Sequence, residues 1–307
     1  MTVVDSSPST SPAAIDAVPL RHPWRWVAAV VIVILVLLFV YGAATNDAYR
    51  WPVFAEYLFN DRIMTGVGNT LQLTVYSMVL AIVLGVILAV MRLSPNPVFR
   101  SVSWVYLWIF RGTPIYVQLA FWGLIPTIYQ NIRLGIPFGP AFFEIHLTDP
   151  NYFVLAMLGL ALNEAAYMAE IIRAGISSVP EGQSEASTAL GMSWGMTMRR
   201  TVLPQAMRVI IPPTGNEVIS MLKTTSLVTA VPYSYDLYSI AMREIAAREF
   251  EPVPLALVAA AWYLVVTSIL MVGQFYLERY FSRGASRKLT SKQLEALAKA
   301  QTGEPHP

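Results

Sequence analysis

Val179-Pro-Glu-Gly-Gln-Ser-Glu-Ala-Ser-Thr-Ala-Leu-Gly-Met-Ser-Trp-Gly-Met-Thr-Met-Arg-Arg-Thr-Val-Leu-Pro204 is the longest small, polar, glycine-containing interval between two apolar runs of this chain, and it still reads as helical. Pro180 suits a first helical turn, because its fixed φ matches the helix and its missing N–H costs nothing there. Gly191 can bend the chain, and Pro204 marks the entry to the next apolar run. A loop with its own short helix between two membrane-length segments is built to touch something.

The rest of the chain says which side of a membrane that loop faces. Of 307 residues, 55% are hydrophobic and 13% are charged, where soluble domains carry about a quarter charged. Mean hydropathy is +0.52, which places the chain among integral membrane proteins. A net charge of +2 is too small for a nucleic-acid partner. There is no cysteine, and His22, His146 and His306 are far apart, so neither disulfides nor a metal site is expected.

Residues 1–24, rich in Ser, Pro and Ala, are expected to be a disordered tail. Trp26–Ala44 has the length of a spanning helix; a cleaved signal peptide is the competing reading, but the run is long for one and follows a long tail. Further apolar runs cover Gly66–Met91, Val102–Tyr129, Tyr152–Ile172, Met207–Val231 and Pro254–Phe281. Six spans put both termini on one side. Arg21, Arg25, Arg92, Arg100, Arg173, Arg199, Arg200, Arg283, Arg287 and Lys288 flank alternate loops, and the positive-inside rule places those loops in the cytoplasm. Loops 45–65, 130–151 and 232–253 have fewer basic residues or balance them with acids. The 179–204 loop is therefore expected to face the cytoplasm, as is a basic, partly helical tail after residue 282. No β-alternation stands out.

Charge inside a bilayer is costly and marks a pathway or a paired site. Arg111 lies in Phe110-Arg-Gly-Thr-Pro114, some ten residues into its span, which is about 15 Å deep. Pro114 is expected to kink that helix. Glu164, Tyr167, Glu170 and Arg173 form a drifting stripe at steps of three, and Glu170 can pair with Arg173. In the next-but-one stretch, Pro212, Pro213 and Gly215 interrupt a span in which Asn216, Ser220 and Lys223 share one face, and Glu217, Ser220 and Thr224 a neighbouring one. The Ser and Thr residues read best as polar glue between helices. For Arg111, Glu164 and Glu217, two readings stand: they line a pathway, or they pair with one another. There is no P-loop, His-Glu-x-x-His or nucleophile elbow, so the chain carries no enzyme chemistry and binds no cofactor of its own.

The motifs resemble the permease subunits of ABC importers for polar amino acids, the histidine/glutamate/glutamine/arginine/opine group. That family's cytoplasmic signature is Glu-Ala-Ala, three residues, Gly, nine residues, Ile-x-Leu-Pro. Here it stands as Glu185-Ala186-Ser187, Gly191 and Thr201-Val202-Leu203-Pro204, with both spacings intact and with Ser187 and Thr201 departing from it. Phe110–Leu119, Ala166–Ile171 with Arg173–Ile176, and Asn216–Leu222 look like the same family.

The resemblance covers residues 64–282 and implies a five-helix permease core, so that residues 25–63 add an extra helix and an outer loop, and 283–307 a basic cytoplasmic tail. It further implies an all-α protein, multi-pass in the bacterial cytoplasmic membrane, that pairs with itself or a similar subunit. Two ATPase subunits would hydrolyse ATP below, and an extracytoplasmic binding protein would deliver the amino acid from above. Glu185, Ala186, Ser187, Gly191, Leu203 and Pro204 would couple to the ATPase. Arg111, Glu164, Tyr167, Asn216, Glu217 and Ser220 are the expected substrate pathway, with Arg111 on the α-carboxylate and Glu164 or Glu217 on an ammonium or cationic side chain. A permease for another small polar solute, a secondary transporter or a channel are the alternatives.

Overall fold

A computed structural model describes residues 23–136, 139–147 and 149–281. The expectations for the two tails fall outside these residues, apart from Pro23 and Trp24. The chain divides into a unit ending at Tyr49 and a second beginning at Arg50. The first holds α1, Pro23–Thr45, whose 23 residues are apolar on every side. At 1.5 Å per residue it is about 34 Å long, enough to cross a hydrocarbon core of about 30 Å.

The second unit opens with α2, Trp51–Leu58, and α3, Asp61–Leu93. Asn60 caps α3 by accepting from Arg62 N at 3.0 Å. α3 packs most extensively against α6, Tyr152–Ser177. Leu73, Met78 and Ala81 of α3 meet Leu160 and Met168 of α6 in the main core.

The run predicted as one kinked span is two helices, α4, Pro97–Gly112, and α5, Ile115–Ile128. The reason is local. Pro114 cannot donate, and the residue before a proline is driven out of the helical region; Thr113 accordingly sits at φ −113°, ψ 143°.

Between α5 and α6 the chain forms a hairpin, β1, Asn131–Gly135, and β2, Ala141–His146, where the sequence suggested an irregular loop. Alternation at Ile132, Leu134, Phe143 and Ile145, with Gly135 and Pro140 bounding the turn, is the signal that was too short to stand out. Arg133 Nε donates to Glu144 Oε1 at 2.8 Å across the strands, and this bond holds the Glu144 carboxyl below its usual range.

After α6 come α7, Glu181–Ala189, α8, Trp194–Thr197, a π-helical turn over Met198–Val202, and α9, Leu203–Thr224, which runs on as a 3₁₀ segment to Ala230. The region expected as the last outer loop holds α10, Leu237–Ser239, a π-helical stretch over Ile240–Ile245 and α11, Ala246–Glu249; α12 is Pro252–Phe281. Helices α1, α3, α6 and α12 are each long and apolar enough to cross a membrane, and α5 is a shorter apolar helix. The remaining predicted spans are composite: α4 with α5, and α9 with its 3₁₀ extension. Apart from the hairpin, the described architecture is all-helical.

The side-chain amide of Gln274 of α12 lies directly against Gly215, and its Nε2 donates to Pro212 O at 2.7 Å. The tandem-proline stretch of α9 is thus covered by protein, as a bilayer requires. Most hydroxyls of α9 bond their own helix instead of a neighbour: Thr214 to Ile210 O and Thr224 to Ser220 O, at 2.8 and 2.9 Å. Hydroxyl glue between helices comes from elsewhere, as in Ser103 Oγ to Leu88 O at 2.9 Å and Tyr106 OH to Leu162 O at 2.7 Å. Arg50 pairs with Glu251 and Arg62 with Glu244.

Candidate functional site

Two of the predicted clusters meet. α6 contributes Asn163, Glu164 and Tyr167 to a cavity of about 270 Å³, α9 contributes Glu217, Ser220 and Thr224, and Ile115 closes it from α5. This is near the lower end of small-molecule sites, roughly 300–1,000 Å³, and is a size for one amino acid and not a peptide. Glu164 is only 7% exposed, and its Oε1 is buried without a hydrogen-bond partner. Glu217 lines the same cavity, so its carboxyl shares that space with the carboxyl of Glu164. Two carboxyls held together need a shared proton or a cation between them.

The other predicted residues sit outside that cavity. Arg111, in the last turn of α4, places its guanidinium 5.4 Å from the centre of the Tyr167 ring. It stacks on the cavity's wall and forms no ion pair with Glu164 or Glu217; the described ion pair of this region is Arg173 with Glu170, as the spacing predicts. Asn216 is exposed on the next face of α9, and Lys223 opens to a different cavity, beside Tyr238 and Tyr263.

Sequence reasoning missed Gln118 and Asn163 as a working pair. Gln118 Nε2 donates to Phe110 O, Thr113 O and Thr113 Oγ1 at 3.0, 3.1 and 2.7 Å. Asn163 Nδ2 donates to Phe110 O at 2.9 Å and to Gln118 Oε1 at 3.1 Å. Together they satisfy the backbone that the α4–α5 break exposes, and they fix Arg111 beside the cavity. The available signal was two amides flanking a Thr-Pro break in otherwise apolar runs.

The second cluster is the 180–204 segment. α7 ends in a Schellman turn: Gly191 N donates to Thr188 O at 2.9 Å and Met192 N to Ser187 O at 3.1 Å. Gly191 sits at φ +75° with open space where a Cβ would be, so the backbone conformation alone requires glycine. Glu185 and Ala186 are exposed on α7, and Leu203 and Pro204 are exposed at the start of α9. Ser187 differs. It is buried, and its Oγ lies 2.9 Å from Thr201 Oγ1 and donates to Gln183 O at 2.8 Å. The two departures from the signature are therefore partners of each other: a hydroxyl pair braces α7 against the π-turn where an Ala–Ile contact would otherwise pack. Gln205 Nε2 adds a bond to Thr201 O at 2.9 Å. Leu190 and Trp194, just beyond α7, are 82% and 77% exposed.

Residues 81–283 match the family of binding-protein-dependent transport system inner membrane components. The chain belongs to this family. As a member it is a multi-pass inner-membrane permease of a binding-protein-dependent importer. The permease is 60% identical over 310 residues to the arginine transport system permease protein ArgU of Corynebacterium glutamicum, covering 99% of this chain and 96% of that one. It is 40% identical over 210 residues to the histidine/lysine/arginine/ornithine transport system permease protein HisM of Escherichia coli K12, covering 67% of this chain and 83% of the relative. A crystal structure of an amino acid ABC transporter with histidines shares the fold with a TM-score of 0.59 at 32% identity, over 71% of this chain and 94% of that one.

Proposed function

We propose that this permease carries cationic amino acids, arginine foremost, inward across the bacterial cytoplasmic membrane by alternating access. One observation carries the substrate class: Glu164 and Glu217 line one cavity, and neither enters an ion pair among the described residues. A guanidinium or ammonium satisfies both carboxylates, including the unpartnered Oε1 of Glu164. Arg111, held at the rim by Tyr167, meets the α-carboxylate. The names of the arginine and histidine/lysine/arginine/ornithine relatives support the same class.

The drive comes from outside the chain. One subunit of an ATPase dimer seats against α7, with Glu185 and Ala186 on the exposed contact face and Leu190 and Trp194 buried on docking. An extracytoplasmic binding protein delivers the amino acid, and a second copy or a similar permease completes the pathway. The chain itself hydrolyses nothing and holds no cofactor. Residues 64–282 form the permease domain, the 25–63 segment adds a helix, and both termini lie in the cytoplasm; the basic residues beside α7 and between α3 and α4 support that orientation.

The test is uptake of labelled arginine by the reconstituted importer. Glu164→Gln removes a charged hydrogen-bonding group and is expected to lower uptake efficiency on the order of 100-fold, and Arg111→Ala to lower it less. Wild-type affinity and rate in both variants, at normal membrane levels, would remove the cavity from the pathway.

A further inference from the structure

The end of α3, the start of α4 and the last turns of α6 line a second, open cavity of about 580 Å³. Its lining is Arg92, Leu93, Arg100, Ser101, Trp104 and Arg173. Glu170 faces this group and takes two hydrogen bonds from Arg173, at 3.0 and 2.5 Å. Arg92 and Arg100 enter none of the ion pairs of the described residues. Three guanidinium groups therefore meet one carboxylate, and two positive charges stand uncompensated in one cavity.

The apolar side of the site continues in one direction. Trp104 stacks on Trp108, one turn further along α4, with ring centroids 6.3 Å apart and planes 2° from parallel. Both rings are more than half exposed, and Val105 beside them is exposed as well. Guanidinium groups at the ends of spanning helices, with a tryptophan strip running from them toward the bilayer interior, match a phosphate group above an acyl chain. A soluble phosphate would use the arginines and leave the strip bare.

We propose that this cavity binds the headgroup of an anionic phospholipid of the inner leaflet, with Arg92 and Arg100 on the phosphate and Trp104 and Trp108 along the chain. The assignment rests on the cytoplasmic placement of this end of the bundle proposed above.

The experiment uses the assembled importer, permease with ATPase, in nanodiscs of phosphatidylcholine with and without phosphatidylglycerol. Lipid retained after extraction is counted by native mass spectrometry, and brominated phosphatidylglycerol reports proximity by tryptophan quenching. Wild type is expected to retain phosphatidylglycerol over phosphatidylcholine, and Arg92→Gln with Arg100→Gln to weaken retention roughly 30-fold. Trp104→Phe should lower the quenching while leaving retention in place. If the double variant does not assemble, Arg100→Gln alone, at an exposed position, is expected to weaken retention in the same direction. Equal retention in wild type and arginine variants overturns the site. So does displacement of the lipid by millimolar inorganic phosphate, which would make the ligand a soluble phosphate, and so does loss of ATPase binding with lipid retention unchanged. Arginine-stimulated ATP hydrolysis in phosphatidylcholine alone reports on the transport reading separately, so failure of one is distinguishable from failure of the other.

Discussion

The cavity between α6 and α9 and the segment from Pro180 to Pro204 are both polar interruptions in an apolar chain, but they are incomplete in opposite ways. In the cavity, the Glu164 carboxyl is buried, one oxygen has no partner, and the nearest ionisable group is another glutamate. In the segment, the buried Ser187 hydroxyl is satisfied locally, and Leu190 and Trp194 lie uncovered. The first lacks a small cation; the second lacks a protein surface. A buried carboxylate without a counter-charge is expensive to maintain, so its retention favours a role in recognition. An exposed apolar pair beside a rigid helix end costs little and suits docking.

The largest effect that would break this contrast is expected at the cavity, where Glu164→Gln abolishes the need for a cation. Beyond the loss of uptake, the amide variant should unfold at the same or a higher temperature, since the cost of holding two carboxyls in one cavity has gone. A marked fall in thermal stability would mean that the carboxylate holds the fold instead. Next comes the frame of the cavity. Gln118→Leu strips partners from Thr113, Phe110 and Asn163 at once, and a loss of about 2 kcal/mol in stability is expected in a detergent denaturation series. If stability holds while uptake falls, Gln118 touches the substrate and the boundary between frame and site moves.

On the other side of the comparison, Gly191→Val forces a branched residue into a left-handed conformation, at a cost of about 1–2 kcal/mol. Because α7 ends there, ATPase capture and transport-linked hydrolysis should both drop, with membrane insertion intact. Survival of both would separate the segment from coupling. The smallest effect concerns Ser187 and Thr201. Each single change, Ser187→Ala or Thr201→Ile, is expected to cost about 1 kcal/mol, and the double change to be nearly neutral, because removing both partners leaves no orphaned hydroxyl. An additive cycle would show that the two hydroxyls act independently.

Much of this was legible in the chain itself. The apolar runs located α1, α3, α6 and α12, and steps of three and four along the helices put Glu217 and Thr224 on one face with Ser220, which the same spacing also shared with Lys223; the cavity holds Ser220 and not Lys223. What periodicity could not supply was the meeting of separate helices. Glu164 and Glu217 lie 53 positions apart, and only packing shows that they face each other. Asn216 was grouped by spacing with Ser220 and Lys223; it stands exposed, a 100° step about the helix axis from Glu217. Ser187 and Thr201 looked like two unrelated lapses from a pattern; their 2.9 Å contact makes them one substitution. The Thr113–Pro114 break was visible as a proline, but its mildness or severity depends on amides contributed from α5 and α6.

The ion pairs of Arg50 and Arg62 carry a consequence for how the protein is made. Arg62, at the start of α3, finds its partner in Glu244, 182 residues later. Arg50 likewise waits for Glu251, just ahead of the final helix. At roughly 5–20 residues per second, synthesis leaves Arg62 without its glutamate for some 10–40 s. Until then α3 and α6 can already associate, but that end of the bundle stays unfastened. The stretch before α12 is the clasp, and a truncated chain that stops short of it would leave the ribosome with a core and no latch.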